Sequence, residues 1–321
     1  MARLWMSGAE DQDTAVFSTV VVAGAGASFT ATTDQPRTGA ASFKAINPNV
    51  NGADAYATVT LPANKTEIFV RVALYLSALP SWRAVIIELL DDIGTNHLAL
   101  CVETDGQLKL YRIHNNGTLL AAGSFIVAGQ YYLLELRATI ADAGGVGVVR
   151  LNTAVDINFS GDTRNAGNAN IRTIYIGLYN PLGTVAYNCT AWLDDIAIND
   201  TAGATQNSYP GNSGIYLLTP DGPGNYTNIP TLVGAATHWE AVDDVPPDND
   251  TSYVEGDVVD DEDTYTMTAV PVSGTITAVK WMARAKLDAA GTGSLARLYR
   301  IGGVDYQGSD IPLGVGYTKL Q

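Results

Sequence analysis

Two adjacent aspartates stand inside an otherwise apolar stretch of this chain. Asp194 and Asp195 lie within residues 187–201, which read YNCTAWLDDIAINDT. Carboxylates in such a setting need a cation or hydrogen-bond donors to offset the cost of leaving water. The pair therefore indicates either a cation site or a hydrogen-bonded arrangement in which one aspartate caps backbone amides and the other is solvated.

A second acidic group occupies residues 243–263. The spacing Asp248-Asn-Asp250 could chelate calcium, but no glycine follows at the position that an EF-hand loop requires. A solvated acidic loop, which keeps particles apart or meets a basic neighbour, is the favoured interpretation.

Other reactive residue types lack a catalytic or metal-binding spacing. His97, His114 and His238 are scattered, and no His-x-x-x-His or Cys-x-x-Cys pair suggests zinc. No Gly-x-Ser-x-Gly elbow or phosphate loop occurs. We therefore expect surface or satisfied structural histidines. Cys101 and Cys189 fall in predicted strands, and two buried free thiols are favoured over a disulfide.

Length and composition limit the class of protein. The chain has 321 residues, enough for two domains with cores. Of these, 46% are hydrophobic and only 16% charged, and the many Thr, Asn, Ser and Gly residues suit turn-rich β structure. The net charge of −15 argues against a nucleic-acid partner. No apolar run reaches the roughly 18 to 20 residues that span a membrane, and the N-terminus lacks a secretory signal.

The aspartate pair belongs to a predicted β-strand. Residues 187–201 alternate with a period of two, which predicts a strand with unlike faces. One face would carry Trp192, Asp194, Ile196 and Ile198, and the other Ala191, Leu193, Asp195 and Ala197. The same alternation predicts strands at residues 67–76, 131–140 and 171–179.

Many short strands without a long helical period indicate a β-sandwich or jelly roll. Residues 199–228 are rich in Gly, Pro, Asn and Asp and are predicted to have little structure of their own. We therefore predict an all-β chain with a jelly roll over residues 1–200, a linker over 201–214 and a smaller β domain, sandwich-like, over 215–321.

The order of these segments carries a resemblance. The succession EIFVRVALYL, LALCVETDGQLKLY, QYYLLELRATI, GVVRLNTAVD and AWLDDIAI resembles the LamG or concanavalin A-like jelly roll. The stretches ARLWMSGAED, NDTAGATQNSYPG and VDDVPPDNDTSYV resemble tailed-phage virion proteins that join such a domain to a second β module. The resemblance implies a concanavalin A-like jelly-roll sandwich followed by a second, smaller β domain. A fold alone does not fix function.

The resemblance also implies a metal. In sugar-binding jelly rolls of this kind, an N-terminal acid and a late Asp-Asp pair often hold a structural calcium ion. Glu10, Asp194 and Asp195 would be the ligands here, and carboxylate oxygens suit that ion. The hydrogen-bonded arrangement of the aspartates remains the favoured alternative.

An enzyme has to be considered, because concanavalin A-like folds also house glycoside hydrolases and polysaccharide lyases. Glycoside hydrolysis needs two carboxylates about 5 to 10 Å apart. Hydrolases of this fold would require a strand motif Glu-x-Asp-x-x-Glu. Glu88-Leu-Leu-Asp-Asp and Glu135-Leu-Arg do not match it, and Glu135 falls on the polar face of its strand, where a solvated residue would be. We therefore expect no enzymatic activity.

The expected function is that of a non-enzymatic phage virion structural protein, in head decoration or a fibre, assembled in the host cytoplasm. The alternative is a carbohydrate-binding adhesin that attaches to host-surface glycans, with a depolymerase a distant third. Tyr75, Trp82, Tyr175 and Tyr179 are candidate contacts to glycans or proteins, which sequence does not separate.

The expected partners are copies of this chain and other virion proteins, bound through the second domain or the linker. Lys280, Arg284 and Lys286 form a basic stripe opposite Trp281. This stripe could meet the acidic loop of a neighbouring copy, so we expect a homo-oligomer.

Overall fold

A computed structural model describes residues 2–114, 117–180 and 185–320. The chain divides into two compact units, Met1–Ile215 and Tyr216–Gln321. In the described residues all regular structure is β-strand, which confirms the all-β prediction. No helix in the described part of the chain is long and apolar enough to cross a membrane.

The first unit is a sandwich of two antiparallel sheets. Its strands are β1 Arg3–Ser7, β2 Thr19–Ala23, β3 Ser28–Thr32, β4 Ser42–Pro48, β5 Asp54–Lys65, β6 Glu67–Leu76, β7 Ala84–Leu90, β8 Asn96–Val102, β9 Gln107–Arg112, β10 Thr118–Phe125, β11 Tyr131–Thr139, β12 Gly145–Leu151, β13 Ala154–Gly161, β14 Ile171–Tyr179 and β15 Asn188–Asp200. An eight-stranded sheet has the order β13-β12-β11-β6-β15-β4-β3, with β1 also paired to β15. A seven-stranded sheet has the order β10-β9-β8-β7-β14-β5-β2.

The core lies between these sheets, because alternate side chains of each strand point toward the other sheet. In β6 the inward residues are Ile68, Val70, Val72, Leu74 and Leu76, and all are buried. Ile174, Ile176 and Leu178 of β14 belong to the same core. Cys101 and Cys189 are buried free thiols, as expected.

The strand that holds the aspartate pair departs from the expected alternation. Ala191 and Leu193 face the core, yet so do Ile196 and Ile198. The pairing of β15 with β6 shifts register between Asp194 and Ala197. The prediction of one unbroken period is therefore wrong, because a β-bulge adds a residue and changes which face each side chain occupies.

The segment predicted as a linker packs on the outer face of the eight-stranded sheet. We call residues 203–215 the strap. The ring of Tyr209 contacts Phe69, with centroids 5.0 Å apart, and lies 3.6 Å from the guanidinium of Arg150. The Gly211 N–H donates to Glu135 at 2.6 Å. Glu135 is fully buried, so the expectation that it is solvated is wrong, because the strap covers it.

The strap also supplies acceptors to a buried arginine. Arg71 is fully buried and is the cross-strand neighbour of Glu135. Its guanidinium donates to the carbonyl of Gly211 at 2.7 Å and to Ser213 at 2.5 Å. A third bond, 2.7 Å long, reaches the carbonyl of Asp195. Burial lowers the pKa of Arg71 to about 10, although the charge of Asp195 opposes this.

The second unit consists of short paired strands. They are β16 Pro220–Thr227, β17 Thr231–Val233, β18 Tyr253–Glu255, β19 Asp263–Met267, β20 Ala283–Ala285, β21 Ser294–Leu295, β22 Leu298–Ile301, β23 Val304–Gln307, β24 Ile311–Pro312 and β25 Thr318–Leu320. They form two-stranded ribbons, and no larger sheet occurs in residues 216–320. The sandwich-like arrangement expected for this unit is therefore absent from its described residues.

Candidate functional site

A row of mostly polar side chains, interrupted by an alanine, crosses the outer face of the seven-stranded sheet. The strand register aligns Glu88 of β7 with Tyr175 of β14 and, on the other side, with Ala99 of β8. Ala99 in turn pairs with Tyr111 of β9, and Tyr175 with Thr58 of β5. Glu88 is the only charged residue of β7, which reads AVIIELL, and it faces away from the core.

Three tyrosines form a cluster on this face. The ring of Tyr56 lies 4.7 Å from that of Tyr175 and 5.1 Å from that of Tyr179. Gly177 stands between the two β14 tyrosines and pairs with Tyr56. A Cβ at Gly177 would lie 2.6 Å from the Tyr56 Cα, and its φ of +143° is one that side chains disfavour. Glycine therefore allows the rings to close over the sheet.

His114, just after β9, joins this cluster to Glu88. Its Nδ1 is hydrogen-bonded to Glu88 Oε1, and its ring meets Tyr179 edge-on at 4.8 Å. Glu88 is fully buried. An ionised Glu88 can only accept, so with that partner the bond requires the proton on Nδ1, and Nε2 is then the free nitrogen of the neutral ring. Asn96 lies beside the pair, with its Nδ2 3.3 Å from Nδ1.

The phenols of the cluster are held in their protonated form. Burial, followed by the charge of Glu88, raises the pKa of Tyr179 to about 12. Burial is also the main cause of the raised pKa of Tyr56 and of Tyr175. Burial also raises the pKa of Asp54, although a 2.7 Å hydrogen bond from the Asn180 N–H acts to lower it. The site thus combines protonated phenols with a histidine that is hydrogen-bonded to a buried glutamate.

An ion pair between Arg83 and Glu103 flanks the row at Tyr111. Arg83 donates to Glu103 at 2.8 Å and to the Tyr111 hydroxyl at 2.7 Å, while its guanidinium stacks 3.9 Å from the Tyr111 ring. Tyr111 donates to the same Glu103 oxygen at 2.7 Å. Arg83 is thereby neutralised, and it fixes the orientation of Tyr111.

His97 shows what a structural histidine looks like in this unit. Its Nδ1 accepts from the Asn165 N–H at 3.2 Å, and its Nε2 donates to the Asn168 carbonyl at 2.9 Å. Burial lowers its pKa. Backbone groups thus engage both nitrogens of His97, as the sequence led us to expect, whereas His114 is held at one nitrogen by a carboxylate.

The predicted acidic site is brought together at the other sheet. Asp194 accepts hydrogen bonds from the backbone N–H groups of Arg37 at 2.7 Å and Thr38 at 3.1 Å. Asp195 pairs with the Arg37 guanidinium and accepts from the Thr38 hydroxyl and the Ile215 N–H, both at 2.7 Å. Both aspartates are fully buried and capped by donors.

Glu10 lies next to this pair. It accepts from the Ala40 N–H at 2.7 Å, and its Oε1 is buried with no hydrogen-bond partner among the described residues. A Cβ at Gly39 would lie 2.2 Å from Oε1, so only glycine fits there. Burial, with the nearby charges of Asp194 and Asp195, raises the pKa of Glu10 to about 8.

The calcium prediction has one feature for it and two against it. Glu10 Oε1 is an oxygen available to a cation, but Arg37 already neutralises Asp195. Within residues 2–114, 117–180 and 185–320, no three His, Cys, Asp or Glu side chains are grouped as a metal site. Calcium at these residues stays a prediction.

The four aromatic residues predicted as contacts do not share one surface. Tyr175 and Tyr179 lie together, with centroids 5.9 Å apart. Tyr75 is on the eight-stranded sheet, 5.4 Å from the rings of both Tyr131 and Trp192. Trp82 is exposed and directly precedes Arg83. Sequence reasoning missed Glu88, His114 and Tyr56 as partners of Tyr175 and Tyr179.

Comparison with known proteins identifies the fold. No family model and no curated protein matches the chain. An endo-β-1,4-glucuronan lyase from the fungus Trichoderma reesei is similar over 62% of this chain and 96% of its own, with 12% identity and a TM-score of 0.50. The cellulose-induced protein Cip1 is similar over 64% and 99%, with 17% identity and a TM-score of 0.50. The alginate lyase Aly36B is similar over 61% and 96%, with 8% identity and a TM-score of 0.44.

These findings confirm the jelly-roll-like, concanavalin A-like sandwich and overturn the expected function. The sandwich is shared with a polysaccharide lyase, and nothing in the comparisons supports a phage or virion protein. The predictions of a non-enzymatic structural protein and of a glycan-binding adhesin are therefore wrong. The expectation of no enzymatic activity depended on the lack of a hydrolase carboxylate pair, which a lyase does not need.

Proposed function

We propose that this protein is a polysaccharide lyase that cleaves uronic acid polymers on the outer face of its seven-stranded sheet. The observation that carries the proposal is the His114–Glu88 pair beside Tyr179. The fold shared with the glucuronan lyase supports the substrate class.

The chemistry is a β-elimination. A base removes the C5 proton of a uronate residue, which is acidic because it lies next to the carboxylate. The C4–O bond then breaks, a C4=C5 double bond forms, and an acid protonates the departing glycosidic oxygen. No water is consumed, and a hydrolase pair of carboxylates is not required.

His114 acts as the base through Nε2. Glu88 accepts from Nδ1, which fixes the tautomer and stabilises the imidazolium that forms when Nε2 takes the proton. Because Glu88 is wholly buried, its charge is screened little by water and acts strongly on the ring.

Tyr179 acts as the acid. Its phenol is protonated at neutral pH, as phenols ordinarily are, so a proton is available to the leaving oxygen. Tyr56 and Tyr175 pack against it and hold its ring. Asn96, next to His114, supplies amide N–H groups to the substrate carboxylate.

The test is to incubate the full chain with glucuronan, alginate and neutral cellulose and to follow the ultraviolet absorbance of the new C4=C5 double bond. We expect the absorbance to rise with a polyuronate and not with cellulose. His114→Asn and Tyr179→Phe should each lower the rate by roughly 10²- to 10⁴-fold.

His238 provides the matched control. It forms a comparable pair with Asp263, 2.6 Å apart, in the second unit, so His238→Asn should keep full activity. New reducing ends without the double bond would indicate hydrolysis and contradict the proposal. So would full activity of His114→Asn, or no product from any polyuronate.

A further inference from the structure

The second unit has almost no core of its own. Among its described residues, Ala241 and Leu320 are the only apolar side chains that are buried. A domain of about one hundred residues normally buries roughly 60 to 70% of the surface that its unfolded chain exposes. Residues 216–320 fall far short of a self-sufficient domain.

Its large apolar side chains point outward instead. Val259 is 89% exposed, Val279 84% and Ile301 63%. Ile276, Val304 and Val315 are exposed as well. Single exposed apolar residues are normal in soluble proteins, but these six belong to a unit that buries almost no apolar side chain, so their apolar surface is left for another molecule to cover.

The backbone is equally incomplete. Each described strand of this unit pairs with one other strand, so each ribbon has two edges without a neighbouring strand. A two-stranded ribbon is marginal in water by itself, and open edges accept strands of another chain. A partner rich in β-strands would meet both needs, since its strands could pair with the open edges and its apolar side chains could cover the exposed ones.

We propose that residues 216–320 complete their core by packing against the same residues of other copies of this chain in a symmetric oligomer. The partner has to be present wherever the chain is made, which a second copy always is. The charges favour the same partner. Residues 221–263 are acidic and contain no Lys or Arg, whereas residues 280–319 hold all six Lys and Arg of this unit and only three Asp. Two copies of a chain whose acidic and basic residues are concentrated in different segments can pair unlike charges across a rotation axis.

The apolar surface, more than the basic stripe, forms this contact. Lys286 pairs with Asp250 of its own chain at 2.6 Å. Its ammonium group lies 4.6 Å from the centre of the Tyr317 ring, and the guanidinium of Arg284 lies 5.3 Å from the same ring. The stripe that was predicted to meet a neighbouring copy is thus engaged, at Lys286, within one molecule. Charge then sets the orientation of the copies.

The experiment is light scattering on the full chain after size exclusion, over a range of concentrations. We expect an oligomer of one stoichiometry. Val279→Asp and Ile301→Asp should raise its dissociation constant at least ten-fold, because they place charges in the contact. Val155→Asp is the matched control: Val155 is 58% exposed on β13 of the first unit, and its replacement should leave the mass unchanged.

Hydrogen exchange provides a second readout that does not depend on a variant. On dilution, amides of residues 216–320 should lose protection while those of β6 keep it. A monomeric wild-type chain, an unchanged mass for both variants, or protection of residues 216–320 that does not depend on concentration would each overturn the proposal.

Discussion

The two outer faces of the first unit both bury charged side chains, but they partner them differently. On the eight-stranded sheet, Arg71 and Glu135 are bonded to backbone groups of the strap. On the seven-stranded sheet, Glu88 is bonded to the side chain of His114, whose ring lies against the half-buried ring of Tyr179. A buried charge is therefore not evidence of function by itself. Its partners decide whether it holds the chain in place or is arranged for proton transfer.

The largest difference between the faces should appear in turnover. Glu88→Gln is expected to lower kcat by roughly 10²- to 10⁴-fold, because the base loses the charge that holds its proton and stabilises its cation. Glu135→Gln, the same change on the sealed face, should leave kcat unchanged in the folded protein. Steady-state kinetics with a polyuronate would measure both. Equal losses in the two variants would remove the distinction between the faces.

Stability should show the reverse pattern. Arg71→Met removes the donor to the carbonyls of Gly211 and Asp195 and the positive charge beside Glu135, and it should cost about 3 to 5 kcal/mol of unfolding free energy in urea. Arg112→Met breaks an ion pair with Asp162 at the surface, which should cost about 0 to 1 kcal/mol. If the two losses were alike, the strap would not depend on the buried arginine.

The acidic site should make stability depend on pH. The native pKa of Glu10, about 8, lies above its ordinary value of 4.5, so the folded state binds its proton more tightly than the unfolded chain does. The stabilisation from Glu10 is complete below pH 4.5 and is lost as pH rises through 8. Urea midpoints at pH 5 and pH 9 should differ less in Glu10→Gln than in the wild type. Glu67→Gln, at an ion pair with Arg137, serves as the control and should leave the difference intact.

Calcium bound at the acidic site would make the stability of the protein depend on the ion. If Glu10, Asp194 and Asp195 hold the ion, a chelator should lower the melting temperature, because ligands that bind only the folded state stabilise it. Asp194→Asn should produce the same decrease without a chelator. A melting temperature that does not respond to chelation would leave the hydrogen bonds to Arg37 and Thr38 as the whole account.

The smallest effect is expected at Trp82, an exposed ring next in sequence to a residue that contacts the row. Trp82 is 41% exposed and precedes the arginine that orients Tyr111. Trp82→Ala should raise KM by a few-fold with little change in kcat, since stacking of an aromatic ring contributes about 0.5 to 1.5 kcal/mol. A matching loss in kcat would instead place Trp82 among the groups that act in the transition state.

The strands of the sandwich could be predicted because alternation is a local property of the chain. β6 is an example: its inward and outward residues are legible from EIFVRVALYL alone. Glu88 could also have been singled out, since it stands in an apolar strand as Asp194 and Asp195 do. Its pairing with His114 could not, because it depends on how β7, β8 and β9 align, and the two residues are 26 positions apart.

The β-bulge in β15 and the packing of the strap could not be predicted from the sequence, for related reasons. In β15 both possible registers present apolar residues to the core, so the pattern does not reveal the change of face at Asp194 and Asp195. In residues 203–215 the abundance of Gly, Asn and Ser describes a turn-rich backbone. This composition does not show that the ring of Tyr209 packs against Phe69.

The place where the strap ends has a mechanical consequence. Ile215 is the last residue of the first unit, and its N–H is bonded to Asp195 in the middle of β15. Any force that pulls on the chain beyond Ile215 enters the first unit through this bond and then through Ser213 and Gly211. These contacts break one after another, whereas the strands beneath are held by many bonds at once. The strap would therefore yield before the sandwich, absorbing load while the face that carries His114 stays folded.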